Sequence, residues 1–383
     1  MTELIYDRDS HVSHFDATIT SCRNDETGIY VTLDKTAFFA EGGGQKCDTG
    51  TIGAAVCGKV SNVCGEVRHY VDRALTVGES VECEIDYAAR FLRMQCHSGE
   101  HIVSAAVHRM FGYDNVGFHL ADDYVTCDFN GPMTAENVRT VEKTANEMIW
   151  KNVPVRVWYP TSDELRGLEY RSKLDLKENV RIVEIEGYDR CACCAPHVKS
   201  TGEIGLIKII DCVKWKGGVR MTLVCGAQAL ADYETMCENA SAISAELCVP
   251  RNQASDAVRK LNEGNVSKDH EITQLKLKIV AGIVERQPSS DGDTVMFFDG
   301  GYAECLRTAV VGCLDKCAGI CAAFSGDGTE YTFAVGSSDE DVKPFVADMT
   351  KTLGGRGGGS NFFAYGKLTC GRSEIEAYFE KRK

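Results

Sequence analysis

The chain has 383 residues, 44% of them apolar and 26% charged, and a net charge of −14. This is the composition of a globular protein of two or three compact units, and the acidic balance argues against a general nucleic-acid-binding surface, which needs a basic field. No apolar run reaches the ~18–20 residues that span a bilayer.

The start, Met1-Thr2-Glu3-Leu4-Ile5-Tyr6-Asp7, is acidic and lacks the basic and apolar regions of a signal peptide. A cytoplasmic chain is therefore expected. Its 19 cysteines are an odd number in a long chain, so reduced thiols are the default, with one or two recruited to metal.

Residues 5–90 read as β. Strand candidates at 30–34, 51–53, 67–71 and 81–85, separated by Gly, Asn and Asp, suggest a small barrel. Within it lies Ala37-Phe38-Phe39-Ala40-Glu41-Gly42-Gly43-Gly44-Gln45, followed by Asp48-Thr49-Gly50. Three successive glycines allow close backbone approach to a ligand. A flexible hairpin loop is the bland alternative, against which the flanking Glu41 and Gln45 speak.

From 87 to about 113 the spacing turns helical. This stretch contains His97-Ser98-Gly99-Glu100-His101, whose i, i+4 histidines leave one helix face. A strand at 125–129, a helix at 134–152 and strands at 153–159 and 181–185 lead to Cys191-Ala192-Cys193-Cys194-Ala195-Pro196-His197. Cys193 and His197 repeat the i, i+4 offset. Three histidines and a thiolate fill a tetrahedral zinc site. Either pair alone is common by chance; the combination is specific. Strands at 204–210 and 219–224 complete an α+β core.

Apolar stripes at 227–247 and after Pro250 read as two helices. Asn265 and Lys268 interrupt the second seam, which suits a short helical arm better than a long coiled coil. Helices packed on their own domain and a dimerising arm both fit. The stretch 287–293 is the clearest linker. An α/β unit follows, with strands at 295–298, 319–324 and 331–335 and helices at 303–314 and 342–353. Gly354-Gly355-Arg356-Gly357-Gly358-Gly359-Ser360 lacks the context of an NTP-binding loop. It reads either as a flexible loop or as a backbone-lined anion or RNA contact.

These motifs together resemble the AlaX proteins, free-standing homologues of the editing domain of alanyl-tRNA synthetase, in the long form that carries a C-terminal domain. The resemblance covers nearly the whole chain. Residues 37–50 are similar to the family's Glu-Gly-Gly-Gly-Gln motif, His97 and His101 to its HxxxH, and Cys193 to His197 to its Cys-Gly-Gly-Thr-His. Residues 354–359 are similar to the glycine run of the DHH-associated C-terminal domain.

The resemblance implies four segments. Residues 1–90 form a β-barrel carrying the glycine motif, and 91–226 a zinc-binding deacylase domain. Residues 227–288 form a helical arm and 289–383 a DHH-associated domain for tRNA binding or dimerisation. It implies one Zn²⁺ held by His97, His101, Cys193 and His197, with Gln45 and Glu41 facing the scissile ester. Gly42, Gly43, Gly44, Thr49 and His119 would contact substrate; Arg356, Gly357 and Gly358 would contact RNA.

The implied reaction is ATP-independent hydrolysis of serine, or glycine, from mischarged tRNA(Ala). Zinc would act as a Lewis acid or activator of water, or, if saturated by four ligands, would orient substrate. A non-catalytic tRNA-binding module and a zinc hydrolase for a differently charged tRNA are the competing classes. The chain departs from the family at Cys194-Ala195-Pro196, and Cys191 and Cys194 are rival thiolates.

Overall fold

The structure, a computed structural model, describes residues 2–172 and 180–382. Two compact units result, Met1–Ala240 and Ser241–Lys383. The division falls inside a helix, so the expected arm 227–288 is shared between them. The chain is mixed α+β throughout.

In the first unit, six antiparallel strands pair in a ring: His14–Asp25, Gly28–Leu33, Glu66–Val71, Ala55–Val63, Gly50–Ile52 and Ser80–Ile85, the last returning to the first. Alternation drives this closure. In Ser80–Ile85, Val81, Cys83 and Ile85 point inward and their glutamate neighbours point outward. The 12-residue strand His14–Asp25 escaped the sequence reading because its polar residues hide the alternation of Ala17 and Ile19.

Helix α1, Tyr87–Phe111, follows the barrel directly. The Asp86 carboxylate caps its first turn by accepting from the Ala89 amide, and Gly112 ends it in the left-handed region at φ 69°. Fifteen of its residues are buried, because other elements of the unit surround it. One neighbour is the antiparallel sheet Ile207–Trp215, Gly218–Cys225, Val125–Phe129 and Asn115–Leu120. Another is α2, Ala135–Lys151, started by a Thr134–Asn137 capping box. The short helix α3, Ser162–Gly167, precedes a three-stranded sheet of Val155–Trp158, Ile182–Ile185 and Asp189–Ala192. The last of these strands delivers the cysteine motif.

Helix α4, Gly226–Glu246, crosses the unit boundary, and the 33-residue α5, Ala254–Arg286, belongs to the second unit. There α5 packs on α6, Leu306–Cys313, through Leu277, Val280 and Val284. A five-stranded sheet carries α7, Val342–Leu353, and α8, Arg372–Glu380. Its order is Thr294–Phe298, Cys321–Gly326, Tyr331–Gly336, Phe363–Leu368 and Gly355–Gly359. The glycine run is thus an edge strand, where the sequence left a flexible loop open as a reading. A Cβ at Gly355 or Gly359 would collide with the backbone of the adjoining strand, which explains strand pairing by residues of poor strand propensity.

Candidate metal centre

Helix α1 and the segment after Asp189–Ala192 bring His97, His101, Cys193 and His197 together, with all four ligand atoms within 4.8 Å of one another. Cys193 Sγ lies 3.5 Å from His97 Nε2 and 3.3 Å from His197 Nε2. With Zn–N near 2.1 Å and Zn–S near 2.3 Å, the N···S edge of a tetrahedron is about 3.6 Å. The donor set and its spacing fit zinc, and this cluster could hold a metal ion. Neither Cys191 nor Cys194 joins it. Cys191 sits within the strand, and Cys194 is exposed against the glycine loop.

Electrostatics suit ligation. Burial, then the neighbouring His101 and His97, hold the His197 imidazole well below its usual pKa, so it is neutral at pH 7. Burial pushes the Cys193 thiol up to about 12, so metal uptake must displace its proton.

Every residue between the helical histidines contributes. Ser98 Oγ lies 2.9 Å from His197 Nδ1, directing that ring's Nε2 toward the cluster. Gly99 leaves room for strand Gly218–Cys225, since a Cβ there would lie 2.5 Å from Cys225 Sγ. The buried Glu100 carboxylate accepts from Ser104 Oγ at 2.6 Å and Asn115 Nδ2 at 2.5 Å. These supporting residues escaped the sequence reading because an i, i+4 pattern marks ligands and not their partners.

The glycine motif also reaches the site. Gly43 and Gly44 line a cavity of about 920 Å³ together with His97, Glu100, His101, Asn115, Phe118, Arg181 and Cys193. Gly44 has φ +81°, and a Cβ there would sit 2.7 Å from Phe118 Cδ1. Phe118 in turn packs on His97 with ring centroids 4.8 Å apart.

Four of the residues expected at the substrate lie as follows. Gln45 was expected to face the ester. It is 1% exposed and lies behind His97, its Oε1 2.9 Å from Nδ1. Because Nε2 points to the cluster, Nδ1 carries the proton and donates to this carbonyl. Glu41 is exposed and outside the cavity lining, its amide bonded to the Val60 carbonyl. The Thr49 carbonyl accepts from Asp86, eleven residues before His97 along α1, or about 16 Å at 1.5 Å per residue. His119 is exposed because strand alternation turns Phe118 inward and its successor outward. In the second unit, Arg356, Gly357 and Gly358 are exposed on the edge strand.

Comparison with known proteins finds relatives of several lengths. Residues 180–220 match the threonyl and alanyl tRNA synthetase second additional domain. The alanyl-tRNA editing protein AlaX-L of Pyrococcus horikoshii is 31% identical over 60% of this chain and 60% of its own length. An alanine–tRNA ligase of Ignicoccus hospitalis is 32% identical over 76% of this chain, which spans only 33% of that enzyme. The alanyl-tRNA editing protein Aarsd1 of Bos taurus is 26% identical over 97% of this chain and 96% of its own. The chain is thus similar to the alanyl-tRNA editing proteins of the AlaX type, in their long form.

Proposed function

We propose that this protein hydrolyses the ester of mischarged tRNA(Ala), releasing serine or glycine, with one Zn²⁺ held by His97, His101, Cys193 and His197. The observation that carries the reading is the N/S tetrad opening on a cavity walled by Gly43 and Gly44. When bound, zinc supplies Lewis acidity at the cavity wall and fixes its four ligands. Gln45 and Ser98 orient His97 and His197 through their outer nitrogens. The Gly43–Gly44 backbone admits the aminoacyl ester closely, and Phe118 closes the cavity beside it.

Selection against alanine follows from polarity. A serine hydroxyl entering near Asn115 and Glu100 meets polar groups at the cavity wall, to which an alanyl methyl offers no hydrogen bond. In this reading residues 1–90 carry the glycine motif, 91–226 the metal centre, 227–288 an arm and 289–383 a tRNA-binding unit. Arg356, Gly357 and Gly358 contact RNA from the exposed edge strand. Exposed Val258, Leu261, Ile272, Leu275 and Ile279 on α5 support a homodimer through the arm. No helix among the described residues is long and apolar enough to cross a membrane, and we place the protein in the cytoplasm.

A four-ligand protein set is also the hallmark of structural zinc. That favours a second reading, a zinc-stabilised tRNA-binding module. Deacylation of Ser-, Gly- and Ala-charged tRNA(Ala) separates the two. Turnover of the seryl ester well above that of the alanyl ester supports the first; binding without turnover of any ester supports the second.

A further inference from the structure

Two of the ligands sit on a helix, where the backbone fixes their spacing. The other two do not: Cys193 and His197 share the i, i+4 offset on a segment without helical hydrogen bonds. Something else must hold that segment, because a metal site tolerates only small displacements of its donors.

Its backbone carbonyls show what does. Arg181 Nη1 donates to the Cys193 carbonyl at 2.9 Å and to the Ala195 carbonyl at 2.7 Å, and the Cys193 amide returns a bond to the Arg181 carbonyl at 3.0 Å. Ser10 Oγ donates to the His197 carbonyl at 2.7 Å. The Arg181 side chain is 5% exposed, and its charge is met by Asp7, whose Oδ1 lies 2.9 Å from Nε. Tyr159 OH donates to the same Asp7 carboxylate at 3.0 Å.

Asp7 and Ser10 belong to one short N-terminal strap. Tyr6 packs with Phe39 and Ala195, Asp9 pairs with Lys199 at 2.8 Å, and His11 reaches Glu203 at 2.8 Å. The strap is itself fastened to the ligand helix. Arg90 of α1, buried on Asp48, donates through Nη1 to the Ser10 carbonyl at 3.1 Å. The histidine pair of α1 and the Cys193–His197 pair are therefore held in one frame, with residues 6–11 as the crossbar.

We infer that the N-terminal strap, acting through Asp7–Arg181 and Ser10, positions the Cys193–His197 segment for metal binding. This rests on the metal reading proposed above. The strap residues are positioning residues and not ligands. Their loss should weaken zinc binding while leaving the helical histidines where they are.

The test is zinc affinity of the full chain, measured by competition with a chromophoric chelator, alongside thermal unfolding of the metal-free protein. The variants are Asp7→Leu/Arg181→Met together, Arg181→Lys and Ser10→Ala. The double variant replaces a buried ion pair by apolar groups of similar volume, a change that often leaves stability intact. It should weaken zinc binding ~10–100-fold, the usual effect of losing outer-sphere support. Arg181→Lys keeps one cationic donor and should fall between it and the native chain. Ser10→Ala should weaken binding to a smaller but measurable degree, with unchanged unfolding. Native zinc affinity in both Ser10→Ala and Arg181→Lys overturns the inference, even if the double variant does not fold. A native chain that binds no zinc overturns the metal reading and this inference with it.

Discussion

Replacing Gln45 by Ala removes the carbonyl that accepts from His97 Nδ1 at 2.9 Å. Both side chains are buried, so water has poor access to take its place. A hydrogen bond lost in such surroundings costs about 1–3 kcal/mol. If that loss falls on metal binding, the zinc Kd rises ~5–150-fold, since 1.4 kcal/mol is a factor of ten. Gln45→Glu keeps an acceptor at the same reach and adds negative charge facing the ligand ring. Its zinc affinity should equal or exceed that of the native chain. Chelator competition at neutral pH, with circular dichroism to confirm folding, measures both. A native zinc affinity in Gln45→Ala, or equal weakening in both variants, would refute the positioning role. The seryl-tRNA deacylation rate should fall in Gln45→Ala and in His97→Ala; unchanged turnover in both would sink the proposed site.

Gly44→Ala should lower turnover at least tenfold with little change in zinc affinity. Its Cβ would displace Phe118 from the cavity wall and its φ of +81° disfavours any side chain; steady-state kinetics on seryl-tRNA check this, and native turnover would contradict it. The barrel should lose stability in acid through His69. Burial lowers its pKa from 6.5 to about 4. The unfolded chain therefore takes up the proton first, and stability complete above pH ~6.5 falls as pH drops toward 4. The loss is about 3 kcal/mol. Urea unfolding between pH 4 and 7 should show this slope, and His69→Gln should flatten it.

The site was legible in sequence where chemistry depends on side-chain type and spacing. His97, His101, Cys193 and His197 could be paired from offsets alone, and the same register favoured Cys193 over its two neighbours. What spacing cannot show is facing. Gln45 follows the glycine turn and looks substrate-directed, yet the turn carries it behind His97. His119 and Phe118 are adjacent, and only the strand's inward face decides which one meets the cavity. Arg181 and Ser10 were invisible for another reason. They hold backbone carbonyls, and a main-chain acceptor leaves no residue-type signature. The glycine edge strand at 355–359 misled similarly, since glycine signals a loop until a neighbouring strand crowds it.

The central claim is that the cluster on α1 and the Cys193 segment holds zinc that ester hydrolysis needs. Seryl-tRNA(Ala) deacylation by the full chain should be lost on zinc chelation and return on adding one equivalent of Zn²⁺. Cys193→Ala should neither bind that zinc nor recover. Turnover that survives complete metal removal, or that is native in Cys193→Ala, would contradict the account.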